Sequence, residues 1–212
     1  MHLDKTTIDT LEQRYRGNLI NCLSGFKPAV LVGTQSQEGQ TNLAVFSNLL
    51  HLGANPALLG LLVRPAPPGT ERHTWENIVA TQHFTVNHIN EVIVPQAHQT
   101  SARYPRETSE FSATGLTPEW LAGYPAPFVA EATVKLGLRL MEQHHFDINH
   151  TTLLIGEVQT IHLPSEIVRE DGSLDLTQEH AVASCGLDSY HTTALGYRYR
   201  YAKADTKPTK ID

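Results

Sequence analysis

Arg72, His73 and Thr74 stand together in TERHTWENI (residues 70–78), where the pattern predicts the start of a helix, and Arg64 closes the apolar run LLGLLVRP just upstream. First-turn backbone N–H groups, a threonine hydroxyl and guanidinium groups are what an anion such as phosphate needs for a cradle. A second stretch, TNLAVFSN (residues 41–48), gathers Asn42, Ala44, Ser47 and Asn48 around Phe46. Small side chains there let a ring system approach backbone amides, while Ser47 and Asn48 can hydrogen-bond its polar edge. Together the two stretches describe a groove with a cationic, polar rim and an apolar floor, suited to an anionic, planar ligand. Each also has a plainer reading: a capped helix with surface charges, and a strand ending in turn-forming Ser and Asn. Tyr104 in SARYP, and Tyr190 with His191 in LDSYHT, lie in polar loops. They can stack on a ligand or narrow its access, or be partly buried tyrosines held by their hydroxyls.

Other chemistries lack their motifs. The sequence contains no GxGxxG, no Walker A pattern, no GxSxG elbow, no HExxH and no evident acid–base carboxylate pair. His144, His145 and His150 fall between two expected strands and read as a solvated turn, so no metal is expected. A net charge of −6 argues against nucleic acid as a partner, and GYRYRYAK is too short an aromatic–basic alternation to reverse that. No apolar run approaches the ~20 residues of a membrane span, and the N-terminus lacks an apolar signal region. These features predict a cytoplasmic location without membrane attachment. The 2 cysteines, Cys22 and Cys185, are far apart in sequence and are expected as buried free thiols.

The elements that must position these residues follow from periodicity. A helix is predicted over about 6–24, with Ile8, Leu11, Tyr15, Leu19 and Cys22 on one apolar face against the core or another subunit. Residues 28–34 and 41–47 form a predicted hairpin, 58–63 a buried strand and 65–71 (PAPPGTE) a loop. A helix from Thr70 or His73 to about Thr81 turns Trp75 and Ile78 inward, and 83–89 returns as a strand. A short helix is expected within 92–103, followed by a polar loop. Long strands at 129–143 and 151–163 form a protruding or barrel-closing ribbon, a short helix spans 179–185, and a loose tail occupies about 203–212. Many strands, few helices and no βαβ alternation predict a mainly β fold, a barrel with added helices, in one domain over 1–212.

Taken in order, GFKPAVLVGTQSQEGQTNLAVFSNLLHLGANPALLGLLVRP, RHTWENI, HFTVNHI, SARYP and EFSATGLTP resemble the flavin reductase-like family, over about Ser24–Pro118. CGLDSY loosely resembles that family's glycine-and-tyrosine segment. The resemblance implies a Greek-key split β-barrel of the FMN-binding type, a homodimer, and FMN rather than FAD near the dimer interface. It places the isoalloxazine by Phe46, Ser47 and Asn48, the phosphate by Arg64 and the Arg72–His73–Thr74 turn, and Tyr104 and Tyr190 near the ring or across the interface. PAPPGTE is longer than in the family, and His73 stands where members often carry an acid. The implied activity is that of an NAD(P)H:flavin oxidoreductase passing a hydride from nicotinamide to flavin N5, for a small-molecule electron acceptor or a partner monooxygenase. The alternative is a non-enzymatic FMN-binding electron carrier or sensor. No catalytic residue is assigned; His191 is the one general-acid candidate.

Overall fold

A computed structural model describes residues 1–67 and 69–211. Pro68, within the expected 65–71 loop, and Asp212, at the end of the expected tail, lie outside the described residues. The chain begins with α1 (Lys5–Thr10) and α2 (Gln13–Leu23), then β1 (Lys27–Pro28), β2 (Val30–Gln35), β3 (Thr41–Phe46), β4 (Leu49–Ala54) and β5 (Ala57–Val63). There follow α3 (His73–Thr81), β6 (His83–His88), a 3-10 turn into α4 (Val94–Gln99), α5 (Glu110–Thr114), β7 (Pro118–Glu119) and β8 (Phe128–Val129). The long pair β9 (Lys135–Phe146) and β10 (Thr151–His162) precedes β11 (Val182–Cys185) and β12 (Ser189–Thr192).

The main sheet has 7 strands in the order β3-β2-β6-β9-β10-β5-β4, every neighbouring pair antiparallel. Its two edges, β3 and β4, are consecutive in the chain and separated only by Ser47 and Asn48. That short span reaches about 10 Å at most, so the sheet must curl until its edges nearly meet. They do not pair, and the barrel is left split at Ser47–Asn48. Period-two alternation then sorts the side chains. Val30 and Val32 of β2 join Leu61, Val63, Phe84, Val86, Leu138 and Leu154 inside the barrel, with Ile78 of α3 packed among them. Leu31 and Leu43 point the other way, into a second cluster with Ile89, Ala97, Phe111 and Val182.

Several expectations change. The N-terminal helix is two helices: the Glu12 carboxylate accepts from the backbone N–H of Arg14 and Tyr15 and so starts α2 afresh. No residue of either helix is buried. β4 went unread because its Leu50 and Leu52 are exposed, so the alternation lacks a buried face. α5 lies inside the stretch expected as polar loop. The 179–185 segment ends in a strand, since Val182 and Ser184 alternate inward and residues 183–184 pair with β1. The β9–β10 ribbon forms, but its first strand begins at Lys135 and not at 129, Phe128–Val129 being the separate β8, and residues 141–150 are all exposed at its tip. The tail is not loose: Arg200 N–H donates to Thr209 O at 2.9 Å and Ile211 N–H to Arg198 O at 3.0 Å. Both cysteines are free, but Cys22 is exposed and Cys185 half-buried.

Candidate functional site

Edge strand β3 carries one wall of the site. Asn42, Ala44 and Phe46 alternate onto the face shared with Thr34, Val32 and Val30, their cross-strand partners. Asn42 is 7% exposed. Its amide donates to the Thr74 hydroxyl at 3.0 Å and to the Thr34 hydroxyl at 3.2 Å. Asn77 donates to the same Thr34 oxygen at 3.1 Å. This buried network fixes the first turn of α3 against the β2–β3 hairpin. It leaves the Thr74 hydroxyl, already an acceptor, with its proton to donate outward.

Because β3 is an edge, its outward backbone groups are not used by another strand. One such N–H, that of Leu43, is met by the Glu110 carboxylate at 2.9 Å. Val45, two residues on, repeats that outward direction. Burial pushes the Glu110 carboxyl above its ordinary value, while its bond from Leu43 and the charge of His73 act the other way.

The opposite wall is cationic. The N-cap position of α3, Arg72, supplies no side-chain cap to the first turn. Its guanidinium instead donates to Pro65 O at 3.0 Å. Partial burial first, then the charges of Arg103 and Arg64, hold Arg72 below its ordinary pKa. Among the described residues, Arg64, Arg72 and Arg103 form no ion pair with a carboxylate; Arg64 bonds the side-chain oxygen of Asn21 in α2. Arg106 is different, because Glu71, at 2.9 Å, and Glu76 neutralise it. His73 shares Glu71, at 3.2 Å.

These pieces enclose a cavity of about 600 Å³, within the roughly 300–1,000 Å³ of small-molecule sites. The structure brings eleven residues singled out from the sequence onto its lining: Asn42, Ala44, Phe46, Ser47 and Asn48 from the β3 end, Arg64, Arg72, His73 and Thr74 from the cationic wall, and Tyr104 and Tyr190 beyond. The Tyr104 hydroxyl accepts from Gln99 at 3.0 Å, and the Tyr190 hydroxyl lies 3.3 Å from His98 Nδ1. His191, by contrast, alternates away from Tyr190, packs edge-on against Phe26 with ring centroids 4.7 Å apart, and does not line the cavity. Sequence reading missed Arg103 and Glu110. Arg103 adjoins Tyr104 in SARYP and its charge was a usable signal; Glu110 is brought to the cavity only by α5, which was not foreseen.

The curled, split antiparallel sheet with a ligand-sized cavity at its open edge defines a split-barrel protein, mainly β with added helices. Residues 25–183 match the flavin reductase like domain, and the chain belongs to that family. It is similar to a provisionally named flavin reductase with a split barrel domain from Shewanella frigidimarina NCIMB 400, at 48% identity and a TM-score of 0.91, covering 95% of this chain and 100% of that one. Nitrilotriacetate monooxygenase component B from Bacillus cereus shares the fold at 21% identity and a TM-score of 0.80, over 93% and 98% of the two chains. The flavoredoxin of Desulfovibrio vulgaris (Miyazaki F) does so at 22% identity and 0.69, over 86% and 92%. Among the described residues, no helix is long and apolar enough to cross a membrane, and no cluster of His, Cys, Asp or Glu could hold a metal ion.

Proposed function

We propose that the cavity binds FMN and that the protein, one domain working as a homodimer, is an NAD(P)H-dependent flavin reductase. The observation that carries this reading is the cavity's polarity. One end has arginines without carboxylate partners, an uncapped helix start and the Thr74 hydroxyl. The other end has the small, neutral strand terminus at Phe46–Asn48 in the split. A phosphate fits the first and a flat ring the second, which is the shape of FMN charge and surface.

Thr74, the first-turn N–H groups of α3 and Arg72 would hold the phosphate, with Arg64 and Arg103 adding charge at the rim. Asn42 orients Thr74 from behind. The outward backbone of Val45, with Ser47 and Asn48, would meet the ring's polar edge, and Tyr104 and Tyr190 would limit access to its face. When bound, FMN supplies hydride acceptance at N5; the protein contributes alignment of the two rings and exclusion of water.

Anaerobic addition of NADH or NADPH to the FMN-loaded protein tests this reading. Reduction is expected to bleach the flavin's visible absorption within seconds, with one of the two nicotinamides preferred. If FMN binds but neither nicotinamide bleaches it, the reductase reading fails and an electron carrier or sensor takes its place. Where reduction does occur, the physiological acceptor, a small molecule or a partner monooxygenase, is found by which oxidant restores the colour.

A further inference from the structure

Cys22 and Cys185 are the chain's only cysteines, and folding brings the Cys22 sulfur against the residue that follows Cys185. β1 carries Lys27 opposite Ser184 of β11, and the Lys27 ammonium reaches back to Asn21 O at 3.3 Å. The C-terminal end of α2 is thereby laid over the end of β11. A Cβ placed on Gly186 would lie 2.9 Å from the Cys22 sulfur, so that sulfur rests on the residue next to Cys185. Desolvation first, and then the neighbouring Cys185 thiol, raise the Cys22 thiol above its ordinary pKa. The β11–β12 turn lines the cavity, and α2 reaches it through Arg64. Gly186, Leu187, Asp188, Ser189 and Tyr190 line it, and Asn21, beside Cys22, holds Arg64.

We propose that Cys22 and Cys185 form a reversible disulfide that ties α2 to the β11–β12 turn and stiffens that rim of the cavity. Hydrogen peroxide is the oxidant, a product of reduced flavin and dioxygen if the site works as argued above. One thiolate attacks a peroxide oxygen, giving a sulfenic acid and hydroxide. The second thiolate attacks that sulfur, the S–S bond forms and a second hydroxide leaves. The protons of the two thiols convert both hydroxides to water, so two thiols and one peroxide become one disulfide and two waters. A small dithiol reverses the step.

The linkage itself does not depend on the flavin reading; its effect on ligand affinity does. A rim already ordered by the disulfide removes part of the ordering cost of binding. The oxidised protein is therefore expected to bind FMN about fivefold more tightly, the low end of usual coupling between sites. By reciprocity, FMN shifts the thiol–disulfide equilibrium toward disulfide by the same factor.

Purified full-length protein without FMN is treated with hydrogen peroxide, and its peptides are mapped by mass under non-reducing conditions. A peptide joining Cys22 to Cys185 within one chain, absent from Cys22→Ser and Cys185→Ser and removed by dithiothreitol, is the expected result. Hydrogen exchange at residues 186–192 should slow in the oxidised form alone. Separate over-oxidation of the two cysteines, or a covalent dimer in place of the internal link, overturns the proposal. An internal link that leaves both that exchange and FMN affinity unchanged overturns the switch. If FMN binds neither form, the flavin reading fails while mapping and exchange still decide the linkage.

Discussion

At the scale of single residues, Glu110 is a group whose charge the fold opposes. It is 7% exposed, and burial holds its carboxyl above the ordinary value despite the N–H of Leu43. The sign follows. A raised folded-state pKa contributes stability that is complete below the unfolded-state value, about 4.3, and is lost as pH rises through the folded-state value. Glu110→Gln keeps an acceptor for Leu43 and removes the ionisation. Its melting temperature should therefore exceed that of the unmodified protein at about pH 7 and lose that advantage at about pH 4. Thermal melts at both values check this, and an advantage that does not change with pH contradicts it. Glu110 also shows why part of the site was hidden in the sequence. It is one acid in EFSATGLTP, and only the packing of α5 beside β3 gives its carboxylate a partner.

Among elements, the position of α3 decides the geometry of the cationic wall. Its first turn hangs on one buried oxygen, Thr34 Oγ1, which accepts from both Asn42 and Asn77. Thr34 is fully buried, so Thr34→Val keeps the shape while removing that acceptor. The variant should lose about 1–3 kcal/mol of stability, read by chemical denaturation; a change within experimental error would mean that another acceptor replaces it. Helix α3 was legible because TERHTWENI carries the start signals and Trp75 and Ile78 carry the period. The break at Glu12 and the strand β4 were not legible. Glu12 acts through a cap that a continuous helical pattern hides, and β4 shows its leucines to solvent. Strand β11 is hidden in the sequence because four residues are too few for a period, and one of its two pairing partners, β1, lies more than 150 residues away.

For the whole molecule, the arrangement of the site was readable only through the order of weak motifs. Each had an ordinary explanation, and the tertiary step that joins them is the curl that brings edges β3 and β4 together at Ser47–Asn48. The same fold leaves Leu23 and Phe26 69% exposed, and Leu50 46% and Leu52 43% exposed. That much outward apolar surface supports the proposed homodimer. Sedimentation of the unmodified protein should give the mass of two chains, and Leu50→Lys should shift it toward one. A monomer before any substitution would refute the assembly.

Thr74 and its neighbours are proposed to bind a phosphate, and the β3 end a ring. Riboflavin has the ring without the phosphate, so fluorescence titration of both flavins against the unmodified protein and Thr74→Ala separates the two halves. FMN is expected to bind the unmodified protein roughly tenfold or more tightly than riboflavin. Thr74→Ala should remove most of that difference while riboflavin affinity stays unchanged. Equal affinity for the two flavins, or a difference that survives the substitution, would contradict this assignment.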